Sequence, residues 1–249
     1  MMEIGGIIDI STKDIPNRVT MVVFTKGCNF KCDFCHNKYL LKNNLGKTIN
    51  TKDLIKRIKN NLLVNSISIT GGEPTLQNDL MEFCKEIFIM GKYISIDTNG
   101  SHPEIIEQII PYINRVALDI KVPFDKNNLK KIIGRNFDPS LIIKTYSIIN
   151  QNKKIDFEIR TTYAEELLNP KDIHLIISFL QANDFQGKYV LQQYQYSEGV
   201  GEEYKKKFHT PSHITLLNIL MPYKNQNFAF DIYLRDNSVG YCKLLELLN

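Results

Sequence analysis

No stretch of this 249-residue chain approaches the roughly 18 to 20 consecutive apolar residues that a membrane-spanning helix needs. Its start, Met1-Met2-Glu3-Ile4-Gly5, has no charged segment leading into an apolar one, so it does not resemble a secretion signal. Little charge of either sign is left over. The 31 Lys and Arg against 27 Asp and Glu give a net charge of +4, too slight to argue for a nucleic-acid or membrane-surface partner. No internal repeat and no low-complexity linker interrupts the chain, and its length suits one sizeable core. The expectation is a single cytoplasmic domain with neither nucleic acid nor membrane as a partner.

Cysteine is scarce as well, and unevenly spread. There are five, an odd number, and three of them fall in Cys28-Asn29-Phe30-Lys31-Cys32-Asp33-Phe34-Cys35. That clustering argues against a disulfide framework and for a reducing compartment. Thiolates are soft, strongly donating ligands, and a tight loop carrying three of them suits an iron-sulfur cluster or, less often, zinc. Closed sites of either kind take four ligands, so three leave one metal position open for chemistry. Cys84 lies on the apolar stripe of a predicted helix with Leu80, Met81, Ile87 and Phe88 and reads as a small core residue. Cys242, near the C-terminus, carries no argument for a role. Two isolated cysteines cannot build a second cluster.

The hydrophobic pattern alternates between short β-like and longer helical segments. A leading edge strand is expected within the first 18 residues. Residues 19–25 are β-branched and apolar without alternation, which suits a strand buried on both faces that delivers the chain into the cysteine stretch. A polar connection over 42–50 leads to a helix over 51–63, with apolar residues at 54, 55, 58 and 62. A strand at 66–70 ends in Gly71-Gly72-Glu73-Pro74, a helix covers 80–90, and a strand at 93–97 runs into Thr98-Asn99-Gly100. Ser101-His102-Pro103-Glu104 has the form of a capping box opening a helix to Ile110. A strand over 116–122 precedes a helix over 138–150, a strand over 155–162, a helix capped by Asn169, Pro170 and Asp172, and a strand over 189–195. Six strands alternating with helices argue for a parallel sheet with helices outside. From Ser197 the pattern changes: Lys205-Lys206-Lys207 reads as solvated surface, 214–220 as a helix, and 227–234 as a last edge strand.

In such a sheet the loops at the carboxyl ends of the strands share one face. The polar signals fall there repeatedly: the cysteine loop, Gly-Gly-Glu-Pro, Asp97-Thr98-Asn99-Gly100, Asp119 with Lys121, Arg160, and the glutamines 192, 193 and 195.

The spacing Cys-x3-Cys-x2-Cys with Phe34 before the third cysteine resembles the signature of radical S-adenosylmethionine (SAM) enzymes. From the opening IGGIIDIS through ITGGEPTLQ, DTNGSHPEII, ALDIKVP, FEIRTT and YVLQQYQ, roughly residues 4–196, the chain is similar to activating proteins of anaerobic ribonucleoside-triphosphate reductases. These are glycyl-radical-enzyme activases related to the pyruvate formate-lyase activating type. The resemblance implies an incomplete (β/α)6 TIM-like barrel over 1–196, with 197–249 as a short extension packed on it.

It further implies one [4Fe-4S] cluster on Cys28, Cys32 and Cys35, with SAM on the open iron. Phe34 and His36 would meet the adenine through their backbone, and Gly71 and Gly72 would let the backbone approach the methionyl amine. Glu73 would face that ammonium, Lys121 the methionyl carboxylate, and Arg160 the carboxylate or ribose, with Asn99 also in the cofactor-binding set. Gln195 stands where the pyruvate formate-lyase type has a histidine, keeping hydrogen bonding without titration. Asp97, Thr98 and Asp119 match the family's ligands for Na+ or K+. The implied chemistry is reductive cleavage of SAM and hydrogen abstraction from a glycine of a partner enzyme, with a low-potential donor such as ferredoxin or flavodoxin. Two rival readings are a small-molecule radical SAM enzyme like the 7-carboxy-7-deazaguanine synthases, and a non-enzymatic metal module. The second would not need Gly71-Gly72-Glu73 or Asp119 and Lys121.

Overall fold

The computed structural model describes residues 2–41, 47–196 and 202–247. The connection expected over 42–50 and the break in pattern placed at Ser197 fall partly or wholly outside the described residues. In chain order the strands are β1 Met2–Ser11, β2 Thr20–Thr25, β3 Lys47–Ile49, β4 Ser66–Gly71, β5 Tyr93–Thr98, β6 Arg115–Asp119, β7 Asp156–Tyr163, β8 Lys188–Gln193, β9 Asp231–Asp236 and β10 Gly240–Lys243. The α-helices are α1 Thr51–Asn60, α2 Leu80–Ile89, α3 Pro103–Ile109, α4 Lys126–Ile133, α5 Pro139–Gln151, α6 Pro170–Ala182, α7 Glu202–Lys207 and α8 His213–Leu220. Among the described residues no helix is long and apolar enough to cross a membrane.

The chain divides into two compact units. The first comprises Met1–Asn29, Asn37–Leu118 and Leu141–Asp156; the second comprises Phe30–His36, Asp119–Ser140 and Phe157–Asn249. In the first, β2, β4, β5 and β6 pair in parallel in that order, and β1 runs antiparallel between β2 and β3. The apolar runs account for this: Met21 to Val23, Ile67, Ile69, Ile94, Ile96 and Val116 are all fully buried, as strands covered on both faces require. Helix α2 packs on β5 and between α1 and α3. Its buried stripe is Leu80, Phe83, Cys84 and Ile87, whereas Met81 and Phe88, expected on that stripe, face solvent.

Helix α1 also ends earlier than its apolar period suggests. Asn61 closes it through its own N–H to Arg57 and Ile58, and Leu62 is left exposed. The expected capping box at Ser101 does not form. His102 holds the N-cap position without a side-chain cap bond, and the Ser101 hydroxyl accepts a hydrogen bond from Asn29 instead.

In the second unit β7, β8 and β9 pair in parallel and β10 joins β9 antiparallel, so the edge belongs to β10 and not to the strand expected at 227–234. Phe157 meets Phe185 edge to face and Phe185 meets Phe230 at a tilt, with centroids 5.3 Å apart at each step. Helix α6 carries the capping box read from the sequence: Asn169 accepts from the backbone at Lys171 and Asp172, and Asp172 returns the bond to Asn169. Helix α8 packs on β9. The extension is therefore part of this unit's sheet, sharing the unit with β7 and β8.

Helix α4 lies in 123–137, where the sequence reading assigns no element. Its signals are nonetheless local: Asp125 caps Asn128, the helix buries Leu129, Ile132 and Ile133, and Gly134 closes it in the left-handed conformation at φ +67°.

Candidate functional site

Between Thr25, the end of β2, and Lys38 the chain forms neither helix nor strand, and this loop holds Cys28, Cys32 and Cys35, all free thiols. Each unit organises its own share of the site residues.

In the first unit the loop leaves β2 against Gly71-Gly72-Glu73. The Gly72 N–H donates to the Thr25 carbonyl and the Glu73 N–H to the Gly27 carbonyl, both at 2.8 Å. A Cβ on Gly72 would lie 1.8 Å from the Gly27 oxygen, and Gly71 has φ +112° with its Cβ position 2.6 Å from Thr25. Both glycines are thus required by this chain's own backbone, whatever ligand they also face. Asn37 Nδ2 donates to the Gly71 carbonyl at 3.0 Å and Gln77 Nε2 to the Lys26 carbonyl at 2.9 Å, tying the loop at two more points.

Glu73 is buried at the centre of this network. Its Oε1 accepts from Thr75 N at 3.1 Å, Thr75 Oγ1 at 2.6 Å and Thr98 Oγ1 at 2.7 Å, and its Oε2 accepts from Asn99 N at 2.7 Å. Burial raises the Glu73 carboxyl above the usual carboxylate range and outweighs the donors that pull it down, Asn99, Thr75 and Thr98. With four bonds accepted, its main geometric role is to bracket the ends of β4 and β5. The expected contact with an ammonium would have to use the remaining Oε2 lone pair.

Asn99, fixed by Glu73, turns its amide toward the cysteine loop. Its Nδ2 donates to Cys28 Sγ at 3.8 Å and to Asn29 Oδ1 at 3.0 Å, while Asn29 Nδ2 donates to Ser101 Oγ at 2.8 Å. An N–H donor aimed at a cysteine sulfur suits a thiolate metal ligand and tunes it. The sequence reading does not single out Asn29, Asn37 or Thr75, because nothing local distinguishes them from ordinary turn residues, and it takes Ser101 only as a helix cap.

In the second unit the stretch Phe30–His36 is held by the Lys31 N–H to the Ile133 carbonyl at 2.9 Å, by Phe30 edge-on to Phe137 at 5.0 Å, and by a Cys35 N–H to Cys32 carbonyl turn at 3.2 Å. Cys32 is buried and its thiol is pushed up to about 11, first by burial and further by Cys35 and Asp119, against the pull of Lys121. Buried Phe34 has the Lys121 ammonium 5.8 Å from its ring. His36 lies 5.5 Å from the Tyr194 ring and is held below the ordinary imidazole range by burial, against a hydrogen bond to the Gln195 backbone. The Gln195 side chain donates to Gln193 at 3.3 Å.

Asp119 accepts from Lys121 Nζ at 3.1 Å through one oxygen and from Arg160 Nε at 3.1 Å through the other. Burial pushes its carboxyl up, and the two cations outweigh that and hold it below the usual range. The result is one carboxylate that fixes two cations at the ends of β6 and β7.

The expected monovalent-cation site finds no support. Asp119 is committed to Lys121 and Arg160, Asp97 faces the Arg115 guanidinium at 3.7 Å, and the Thr98 hydroxyl donates to Glu73. Among the described residues no group of three or more His, Cys, Asp or Glu side chains could hold a metal ion. A four-iron cluster asks for something different, since each thiolate binds a different iron. Three free thiols on an irregular loop, one of them facing an amide donor, are a chemically fitting donor set for it.

Residues 22–177 match the radical SAM superfamily. A Methanocaldococcus jannaschii protein named as a glycyl-radical enzyme activating enzyme is 35% identical over 211 residues, covering 82% of this chain and 84% of that protein. Among solved structures, SuiB of Streptococcus suis bound to S-adenosylmethionine aligns with a TM-score of 0.64 at 22% identity, over 84% of this chain and 48% of SuiB, so the chain spans about half of that protein's length. A domain of the pyruvate-formate lyase-activating enzyme from Bacteroides vulgatus aligns with a TM-score of 0.51 at 19% identity, over 68% of this chain and 98% of that domain. At these identities the structural likeness is one of fold.

Proposed function

Because this chain belongs to the radical SAM superfamily, we propose that it is a glycyl-radical-enzyme activase whose protein substrate is an anaerobic ribonucleoside-triphosphate reductase. The observation that carries the activase reading is the 35% identity with the Methanocaldococcus jannaschii relative, which covers most of both chains. The choice of reductase rests on the motif resemblance over residues 4–196. Membership of the superfamily implies a [4Fe-4S] cluster and S-adenosylmethionine, which together supply a one-electron reductive cleavage and a carbon radical able to abstract hydrogen.

Cys28, Cys32 and Cys35 would hold the cluster, and the fit of the donor set supports this. Gly71, Gly72 and Glu73 would present a backbone edge to the methionyl amine, with Glu73 keeping that edge rigid through its bonds to Thr75, Thr98 and Asn99. Lys121 and Arg160 would meet the methionyl carboxylate and ribose, pre-positioned by Asp119 so that little side-chain entropy remains to be lost on binding. Phe34, His36 and Gln195 would line the adenine side, where burial keeps His36 neutral and excludes water.

The test begins with anaerobic reconstitution. It should give about four irons per chain, lost when any one of Cys28, Cys32 or Cys35 becomes Ala and retained in Cys84→Ala and Cys242→Ala. With SAM, reductant and the reductase, a glycyl radical should appear as a doublet in the paramagnetic resonance spectrum. Deuterium at that glycine's α-carbon should transfer to 5′-deoxyadenosine. Turnover of a purine-like small molecule without label transfer would replace the activase reading with the deazaguanine-type alternative.

A further inference from the structure

The second unit carries a concentration of positive charge beside the cysteine loop that the proposed site does not use. Helix α4 and its C-terminal turn present Lys130, Lys131 and Arg135 to solvent while Leu129, Ile132 and Ile133 face inward. This helix end is fastened to the cysteine loop. The Lys31 N–H donates to the Ile133 carbonyl, and the Cβ position of Gly134 lies 3.3 Å from the Lys31 Cβ. Lys31 itself is exposed.

From another direction α7 brings Lys205, Lys206 and Lys207 to the same loop, where Lys207 pairs with Asp33, between Cys32 and Cys35. Lys205 sits 5.3 Å over the Tyr196 ring and stays exposed, as does Lys206. Within Phe30–His36 the one carboxylate is Asp33, which pairs with Lys207. The other carboxylates of these helices, Asp125 before α4 and Glu202 and Glu203 in α7, stand at their N-terminal ends and not among the lysines.

A helix gains from basic residues in its last turn, and that alone would explain two lysines on α4. It does not explain why two separate helices bring their basic ends to one loop, in a chain whose net charge is only +4. No carboxylate lies within ion-pair distance of Lys31, Lys130, Lys131 or Arg135 among the described residues. Like charges gathered this way raise the local potential and favour an anionic partner, chiefly through its rate of encounter.

We propose that Lys31, Lys130, Lys131, Arg135, Lys205 and Lys206 form the docking surface for a small acidic electron-carrier protein that delivers one electron at the cysteine loop and leaves oxidised by one electron. The proposal rests on the activase reading only for the need of that electron. The surface belongs beside the loop because the carrier's redox centre must come close to the thiolate-held group, and fixed cations orient an acidic face there without requiring tight binding.

The experiment uses the anaerobically reconstituted full chain and a flavodoxin as the acidic probe, with dithionite as a reductant that needs no docking. One variant set reverses charge (Lys130→Glu, Lys131→Glu, Arg135→Glu). A second neutralises it (Lys130→Gln, Lys131→Gln, Lys205→Gln, Lys206→Gln), in case reversal at the helix end prevents folding, which the melting curve reports. Flavodoxin affinity by calorimetry should fall at least tenfold in the reversed set and severalfold in the neutralised set, and should weaken with salt in the wild type. SAM cleavage with flavodoxin should fall in parallel, while cleavage with dithionite stays within twofold of wild type. Equal flavodoxin affinity in folded variants and wild type overturns the proposal. So does a loss of affinity for the glycyl-radical partner with flavodoxin binding intact, which would assign the surface to that partner. If dithionite drives no SAM cleavage in the wild type, the activase reading fails, and the affinity comparison still decides the docking question.

Discussion

Glu73 was expected to act on a ligand, and its geometry makes it first an organiser of the loop ends. A carboxylate can accept from donors on both sides, and here it takes three on Oε1 and one on Oε2. Glutamine has an acceptor on one side only, so Glu73→Gln must turn an NH2 group toward either the Asn99 N–H or the Thr75 and Thr98 donors. The unsatisfied buried group should cost about 1 to 3 kcal/mol, read as a lower urea midpoint with an unchanged slope. An unchanged midpoint would show that the network is dispensable.

Asp119 allows a pH test. Its carboxyl is held below the ordinary range, because Lys121 and Arg160 outweigh burial. The unfolded chain therefore takes up this proton near pH 3.9 and the folded chain only at lower pH. The stability from this group is complete above the unfolded value and is lost as the pH falls through the folded one. Asp119→Asn should be less stable than wild type at neutral pH, and the gap should narrow below about pH 4. Denaturant titrations of both proteins at pH 7 and 3.5 check this; a gap that is constant with pH would remove the ion pairs from the account.

At the scale of elements, the loop ends are joined backbone to backbone. Gly72 has no room for a side chain: its Cβ would overlap the Gly27 carbonyl that accepts from Glu73. Gly72→Ala should cost on the order of 1 to 3 kcal/mol or more as overpacking and should lower iron loading by displacing the turn into the cysteine loop. Gly134→Ala is the contrast. It strains a left-handed helix cap, which costs on the order of 1 to 2 kcal/mol, and places a Cβ 3.0 Å from the Lys31 carbonyl oxygen, while leaving the Gly72 contact alone. Melting temperature and iron content measured on both would separate the two effects, and a Gly72→Ala protein that melts like wild type would refute the close contact.

Element types were legible where a local signal was also the one used. Asn169, Pro170 and Asp172 cap α6 as their spacing says. Ser101 has the same kind of spacing and does not cap α3: the helix starts one residue later, with His102 at the N-cap, and the Ser101 hydroxyl accepts from Asn29, far off in sequence. Helix α4 was legible and unread: Asp125, the period of Leu129, Ile132 and Ile133, and Gly134 are all local.

For the molecule as a whole, the segment after Ser197 proves to be structural. Strand β9 pairs with β8, and Leu216, Leu220, Ile232 and Leu234 are buried. Fully burying each such side chain contributes roughly 1.5 to 3 kcal/mol. A chain ending at residue 196 would lose those side chains, uncover what they pack against and leave β8 paired only with β7. It should lose cooperative unfolding and near-ultraviolet circular dichroism, or fail to stay in solution. A truncated chain with a wild-type urea midpoint would show instead that the extension is an appendage.

The sequence by itself determined the alternation of strands and helices, the three-cysteine loop after β2, and the set of polar residues at the ends of β4 to β8. Each depends on periodicity or spacing over a few residues, which the chain encodes locally. Only the tertiary structure decided what those residues bond. Glu73 is tied to Thr98 and Asn99, Asn99 to Cys28, Asp119 to Arg160, and Lys31 to the end of α4. These partners are tens of residues apart, and their meeting follows from strand pairing and helix packing, whose register no short window of sequence contains.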